Sequence, residues 1–550
     1  MIPAAERPDW KAWLVVLALS VLVLLPGLTT IPPVDRDESR YAVATTQMLE
    51  SGDFIDIRFQ EEQRYLQPAG VYWLQSITAG ITGAQEARSI GGYRLPSFLA
   101  MLATIGMTLA LATHLFGRTA GIAAALLLAT SFAIGFEARI AKTDAVLVAT
   151  ITAAHLALMR IYLAPMGHWW RPALFWAALG AGMMIKGPIV LLFVGLALIA
   201  LTIWDRKATW LKELKPLWGV PLFLAIALPW YIAIGIASDG AFYSEAIGDS
   251  LMGKVGESQQ SHSGPFGYYL GVFTLMFWPA SLFAVLGGYW AWINRREPAV
   301  RYLICWIVPA WLAYELIATK LPHYVMPTYP ALAMIAAAAA LAPGLKAPLW
   351  LRIAAGAYML VWLAASALMA GLGAAALHWY EDRLSLAMIL FGALAFIAAL
   401  AALALYLMKR RPAALAAGIA AGALSLPATF GIAIPGLDTL WVTPRVVAAV
   451  EAVRPCENST LVTSTYREPS LVFAYGPYRT RLASGPENAA DLLGADPACA
   501  VALIDASERE AFLARAGEIG LAPSAAGLVE GTNYSNGDDQ SLTIYLAGSR

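Results

Sequence analysis

Apolar runs about 20 residues long follow one another through most of this chain, and a bilayer is the solvent in which such runs are stable. In hydrocarbon every backbone N–H and C=O must be satisfied within the protein, so each run reads as a helix. Runs of this kind cover 11–31, 94–116, 118–136, 143–163, 171–185, 188–204, 217–237, 267–293, 300–318, 324–342, 348–374, 385–408 and 412–434, about thirteen spans in all. The pair 171–185 and 188–204 is short and reads as tilted. A composition of 59% hydrophobic and 13% charged residues, with mean hydropathy +0.62, fits a polytopic α-helical membrane protein and excludes a soluble globular chain. Formal net charge is zero, which gives no ground for a nucleic-acid partner.

Basic residues in the short loops give the orientation. With the N-terminus inside, the inside loops hold Arg118, Arg160 with Arg171, Arg206-Lys207 with Lys212 and Lys215, Arg295-Arg296, Lys346 and Lys409-Arg410-Arg411, as the positive-inside rule requires. The outer face then carries 32–93, 137–143, the Lys186 turn, 238–266, 319–323, 375–384 and everything after about 435. The first run is followed by a polar motif instead of a small-residue cleavage site, so it reads as a retained helix in preference to a signal peptide.

Two regions are expected, a transmembrane domain over 1–437 and a small soluble α/β domain over 438–550 on the outer face. Within the first outer loop, 33–93, the segments Arg40 to Leu49 and Val71 to Ile77 have apolar residues at helical spacing. They read as amphipathic helices that either lie in the membrane interface or pack on the bundle. After about 438 there are fourteen Asp/Glu against eight Lys/Arg. Strand-forming runs appear at Thr460 to Thr465, Leu471 to Tyr475, Ala500 to Ile504 and Leu542 to Leu546, and helical patterns at Pro444 to Val453 and Ser507 to Ala516. Cys456 and Cys499 can pair in an oxidising compartment, and Cys305 lies within a span.

The unusual polar residues gather on the outer side. Asp35-Arg36-Asp37-Glu38-Ser39-Arg40-Tyr41 packs three carboxylates, two guanidiniums and a phenol beside the bilayer, a costly arrangement that points to a site for charged groups. Glu137, Arg139, Lys142 and Asp144 follow in the second outer loop, then Lys186, then Lys254, Glu257 and His262, then Lys320, His323 and Tyr324. Mid-depth positions are almost free of charge, with Glu315 the main exception near an outer end. A transporter places ionisable groups or broken helices at the midplane. This pattern reads as an enzyme facing one side, with a transporter or flippase of lipid-linked sugars as the competing class.

The segments Asp37-Glu38-Ser39-Arg40-Tyr41-Ala42, Arg94-Leu95-Pro96-Ser97, Lys186-Gly187-Pro188, Leu228-Pro229-Trp230-Tyr231, His262-Ser263-Gly264-Pro265-Phe266, Thr319-Lys320-Leu321-Pro322-His323-Tyr324 and Tyr466-Arg467-Glu468-Pro469-Ser470 stand in the order seen in the aminoarabinose transferases of lipid A. More broadly the chain resembles the bacterial relatives of protein O-mannosyltransferases, which share the GT-C fold. The resemblance implies a bacterial inner-membrane enzyme with its site on the periplasmic face, which moves a sugar with inversion from undecaprenyl phosphate to lipid A or another envelope acceptor.

The resemblance also implies roles. Asp37 matches the acidic residue implicated in catalysis, Arg40 is its companion, and Asp144 is a second acid near the cavity, with a helix cap as its alternative. Tyr324 and Lys254 would contact the lipid phosphate, and Lys320 and Arg139 are further phosphate candidates because a departing phosphate needs cations close by. A hydroxyl acceptor would need Asp37 as a base, whereas a phosphate acceptor is already largely anionic and would need it for orientation. His262 is a candidate ligand of a structural divalent metal ion or a hydrogen-bonding residue. Where the family carries Glu-Lys-Pro, this chain reads Leu66-Gln67-Pro68, which removes a phosphate-contacting Lys and a metal-ligating Glu. The sugar is therefore open between aminoarabinose, galacturonic acid and a hexose, and a protein acceptor is the alternative to lipid A.

Overall fold

The computed structural model describes residues 7–164, 168–246, 248, 264–343 and 347–548. Among these residues, seven helices are long and apolar enough to cross a membrane: Ile90–Phe116 (α4), Thr143–Leu163 (α7), Pro216–Ala237 (α10), Pro298–Leu316, Leu349–Glu381, Leu386–Leu407 and Arg411–Gly436. Shorter apolar helices stand beside them, including Trp10–Leu24 (α1), Arg118–Ala129 (α5), Ile189–Asp205 (α9) and Ser281–Ile293. Close packing follows from composition: in Tyr329–Leu341 a run of alanines is almost wholly buried, and it lies against α5, α4 and Ser281–Ile293.

Two of the expected spans are broken. The run 118–136 divides at Thr130-Ser131 into α5 and the short helix Phe132–Glu137 (α6), and 267–293 divides into Tyr268–Met276 and Ser281–Ile293 around Pro279. The breaks meet, because the Phe132 N–H donates to the Trp278 carbonyl at 3.0 Å and so recovers a backbone bond lost at each. Hydropathy sees one continuous run in each case, since the broken backbone is satisfied inside the protein.

The segment between α1 and α4 holds two helices, Asp37–Ser51 (α2) and Gly70–Thr82 (α3), joined through a hairpin of Arg58–Phe59 (β1) and Glu62–Gln63 (β2). Both helices end on glycine in the left-handed region, Gly52 and Gly83, where a Cβ would be strained. Helix α3 packs against the protein with one face and leaves the other exposed. Its Val71, Tyr72, Gln75 and Ser76 face the protein, while Leu74, Ile77 and Ile81 are exposed on the other side at the spacing of an interfacial stripe.

The C-terminal region forms a five-stranded sheet in the order β4-β3-β5-β7-β6, with Thr460–Thr463 (β3) parallel to Thr480–Leu482 (β4) and to Ala500–Asp505 (β5). Ser524–Asn533 (β6) and Asp538–Leu546 (β7) add an antiparallel hairpin at the other edge. A disulfide joins Cys456 to Cys499 and ties the start of β3 to that of β5. The segment Leu471 to Tyr475, expected as a strand, belongs to a helix, Pro469–Tyr475. Pro469 at its first turn favours a helix, and burial on all sides between the sheet and α2 removes the polar face by which a helix is told from a buried strand.

This helix docks the sheet on the first loop. Phe473 meets the Tyr93 ring edge-on at 5.2 Å, and Ser470 N–H donates to Asp35 Oδ1 at 2.9 Å. The Tyr534 hydroxyl accepts from Asp35 N–H at 2.6 Å, and Arg36 donates to the Ser535 carbonyl at 3.2 Å. The start of α2 is thus held between the helix bundle and the sheet.

Candidate active site

Helix α2 begins with two adjacent acids whose environments are opposite. Glu38 is 1% exposed and receives Arg94 Nε on one oxygen at 2.8 Å and Arg94 Nη2 on the other at 2.7 Å. It also accepts the N–H groups of Val34 and Ala141. Arg94 in turn donates to the carbonyls of Leu28, Ile31 and Pro32. This bidentate pair has nearly every polar atom satisfied and ties the segment after α1, α2, α4 and the loop before α7 at one point.

Asp37, one residue earlier, is exposed and makes no hydrogen bond or ion pair among the described residues. Its backbone is aimed by Arg36, which sits at φ 67° and ψ −101°, a conformation that a side chain rarely adopts and that the surrounding contacts must hold. Arg40, one turn on, faces the same way and is partly buried beside Asp37, Arg64 and Glu468.

The loop between α6 and α7 and the start of α7 supply an alternating charge chain. Lys142 Nζ lies 2.9 Å from Glu137 and 3.7 Å from Asp144, and Lys186 Nζ lies 2.6 Å from Asp144 Oδ1. Asp144 caps nothing with its side chain; it is in the first turn of α7, where the helix dipole favours an anion, and pairs with Lys186 instead. The Glu137 carboxylate is ion-paired but receives no well-aligned hydrogen bond, an uncommon state for a group 1% exposed. His323 stands between these acids, Nδ1 3.7 Å from Glu137 and Nε2 3.6 Å from Asp144. Burial, with Lys142 and Lys186 close by, pushes its imidazole down to about 3 against the pull of Asp144, so it is neutral near pH 7.

A cavity of about 410 Å³ opens at the end of this chain. Its body is apolar, from Leu147, Leu192, Phe193 and Met326, and its polar end is formed by Asp144, Lys186, His323 and Tyr324. Lys186 Nζ also stands 5.7 Å from the centre of the Tyr324 ring. Leu66, Gln67 and Pro68 of the first loop line the rim. Such a shape fits an amphiphile, an alkyl chain in the body and an anionic head at the lysine.

Of the residues expected in the site, Asp144 and Tyr324 line this cavity, and Asp37 lies within electrostatic reach of Lys142 and Tyr324. Arg139 is turned away: buried, it donates to the backbone carbonyls of Pro26, Gly135 and Val23 and stacks on Phe430. Lys320 is also turned away, its ammonium on the carbonyls of Glu315 and Gly264 at 3.0 and 3.2 Å. Glu315 caps Tyr268–Met276 by accepting from the Gly267 and Tyr269 N–H groups. Lys254 and His262 lie outside the described residues. Among the described residues no three His, Cys, Asp or Glu side chains stand together as a metal site, and Leu66 offers no ligand.

Lys186, Lys142, Glu137 and His323, singled out from the sequence only as members of the outer polar group, stand together at the polar end of the cavity. Their signal was a charged residue at the end of an apolar run, which ordinarily marks only a helix anchored at the interface.

A profile of the dolichyl-phosphate-mannose-protein mannosyltransferase family matches residues 67–232. The chain is 28% identical over 415 residues to the undecaprenyl phosphate-alpha-4-amino-4-deoxy-L-arabinose arabinosyl transferase of Pectobacterium carotovorum, covering 72% of this chain and 71% of that one. The corresponding transferase 1 of Pseudomonas fluorescens is 27% identical over 337 residues, 59% of this chain and 56% of its own. In structure the chain matches ArnT from Cupriavidus metallidurans bound to undecaprenyl phosphate, with a TM-score of 0.74, 19% identity, and coverage of 98% of this chain and 100% of that one. The chain has the GT-C fold. It is aminoarabinose-transferase-like within that fold. The Archaeoglobus fulgidus oligosaccharyltransferase is a more distant match, with a TM-score of 0.52 at 13% identity over 90% of this chain and 69% of that one.

Proposed function

We propose that this chain is an inverting glycosyltransferase that moves aminoarabinose or a related sugar from undecaprenyl phosphate to lipid A at the periplasmic face of a bacterial inner membrane. The observation that carries the reading is the apolar cavity closed at one end by Asp144, Lys186, His323 and Tyr324. It offers one compartment for a polyprenyl chain and one charged end for its phosphate. Sequence likeness to aminoarabinose transferases supports the donor class.

In this reading thirteen helices cross the bilayer, the seven long ones, the five shorter apolar ones and Trp170–Lys186. Loop charge sets the cluster around Asp37 and the sheet on the outer face. The division into 1–437 and 438–550 follows the change in composition.

The reaction breaks the bond between the sugar anomeric carbon and the lipid phosphate oxygen, and forms one from that carbon to an acceptor oxygen on the opposite face. The electron pair of the broken bond stays with the lipid phosphate, whose growing charge Lys186 offsets, with Arg40 on the first-loop side. Lys186 is held in place by Asp144, and Tyr324 packs beside its ammonium. Asp37, exposed and without a partner among the described residues, meets the acceptor: it takes the proton of a hydroxyl, or orients a phosphate acceptor that carries none to lose.

A second reading changes the sugar only. Gln67 and Leu66 put no charge on the rim of the cavity, which favours a donor whose sugar is recognised by other groups, such as a galacturonosyl or hexosyl donor. Mass spectrometry of lipid A and other envelope glycoconjugates, with and without the gene, tests the assignment. Loss of an aminoarabinose-sized mass from lipid A is expected; a loss confined to secreted protein would overturn the acceptor.

A further inference from the structure

Arg64, within electrostatic reach of Asp37, has unusual surroundings for a buried cation. It is 8% exposed, yet among the described residues it makes no ion pair, and its Nε is buried without a hydrogen-bond partner. The groups around it are the Tyr41 ring, whose centre lies 5.2 Å from the guanidinium carbon, the Tyr72 hydroxyl, which is not aligned to accept, and Asp37 and Arg40 within electrostatic reach. A buried cation whose nearest carboxylate, Asp37, makes no ion pair with it is ordinarily costly. Here a second cation, Arg40, is held close to it and also lacks an ion pair among the described residues.

The fold holds this arrangement firmly. Arg64 follows the β1–β2 hairpin, its N–H bonded to the Ile57 carbonyl at 2.8 Å. The hairpin turn is clamped to α2 by a reciprocal pair between Gln47 and Gln60, and to the sheet by Gln60 Nε2 on the carbonyls of Pro477 and Thr480. The rings of Tyr41 and Tyr72, 5.2 Å apart, wall one side. Two guanidiniums within electrostatic reach of each other, with the unpartnered Asp37 carboxylate close by, make a cationic pair suited to a singly or doubly charged anion.

We infer that Arg64, working with Arg40, binds a phosphate ester beside Asp37. This rests on the transferase reading, under which two substrates can supply that group: the lipid phosphate of the donor and a phosphate on the acceptor. Planar, bidentate recognition is the property that distinguishes Arg from Lys at such a position.

The test uses the full-length protein in lipid nanodiscs with Arg64→Gln and Arg64→Lys. Three quantities are read: the Kd for undecaprenyl phosphate, the KM for each substrate, and the apparent unfolding temperature. Arg64→Gln is expected to weaken undecaprenyl phosphate binding, or to raise the acceptor KM, by about ten- to hundredfold. A change in the first assigns the site to the donor, and a change confined to the second assigns it to the acceptor. Arg64→Lys should recover only part of the loss. Unfolding temperature should hold or rise, since an unpaired buried cation is removed, whereas a structural arginine would lower it. Wild-type values for both substrates in Arg64→Gln would overturn the inference, and so would unchanged affinities in a folded Arg64→Lys variant alongside a destabilised Arg64→Gln. If wild-type protein transfers no sugar, the functional reading fails, and the undecaprenyl phosphate arm still decides what Arg64 binds.

Discussion

Asp37 and Glu38 are neighbours in one helical turn, and they do opposite things. Glu38 is desolvated, bonded to both nitrogens of an Arg94 fork and to two backbone N–H groups, and holds four segments together. Asp37 faces outward with no bond, beside two arginines that also lack ion pairs among the described residues. The difference teaches where function lies in a charged cluster at a membrane surface. Glu38, fully answered within the protein, builds the frame; Asp37, left unanswered on that frame, is the residue that the proposed function brings to the acceptor.

The comparison breaks first at Asp37. Asp37→Asn should lower turnover by about 10²–10⁴-fold while leaving undecaprenyl phosphate binding and unfolding temperature unchanged. Steady-state transfer with a parallel thermal melt checks it. At Glu38 the order reverses, since Glu38→Gln leaves Arg94 buried with its charge unpaired. It should cost about 3–5 kcal/mol of stability, read as a lower unfolding temperature and less folded protein from the same expression. If both variants melt like wild type, Glu38 is not the keystone described here.

Lys186 sharpens the picture of the cavity. Lys186→Met removes a cation from the donor end and leaves Asp144 facing the phosphate, so the donor KM should rise about ten- to hundredfold with little change for the acceptor. The smallest effect concerns the joint between sheet and loop. Burial raises the Asp35 carboxyl to about 6, against the bonds from Ser470, with Glu468 adding to the rise. The folded state therefore holds this proton more tightly than the unfolded one. The stability it contributes is full below the ordinary carboxylate value near 4 and is lost as pH rises through about 6. Protection of the Pro469–Tyr475 amides, relative to the unstructured-chain exchange rate at each pH, should be greater at about pH 4 than at about pH 7, and Asp35→Asn should flatten that difference.

Much of this frame was legible in the sequence. The apolar runs marked the bundle, helical spacing marked α2 and α3, and within the charged cluster after α1 it was the resemblance to aminoarabinose transferases that singled out Asp37. Other features had no local signal. The breaks at Thr130 and Pro279 are repaired by each other through the Phe132 to Trp278 bond, so no hydropathy minimum marks them. Pro469–Tyr475 reads as a strand because it is buried all round. Arg139 and Lys320 looked like phosphate ligands, but backbone carbonyls absorb their charges, and only the fold supplies those carbonyls. Arg64 carries no motif; what distinguishes it is a missing partner, which no linear pattern records.

The central claim is that the unanswered charges around Asp37 perform glycosyl transfer at one face of the membrane. Reconstituted vesicles loaded with undecaprenyl phosphate-aminoarabinose and lipid A test it most directly, with wild type and Asp37→Asn side by side and products read by mass spectrometry. Wild type should yield lipid A heavier by one sugar together with free undecaprenyl phosphate, and Asp37→Asn should yield neither. Donor carried intact across the bilayer with no glycosylated product, at equal rates in both proteins, would contradict it.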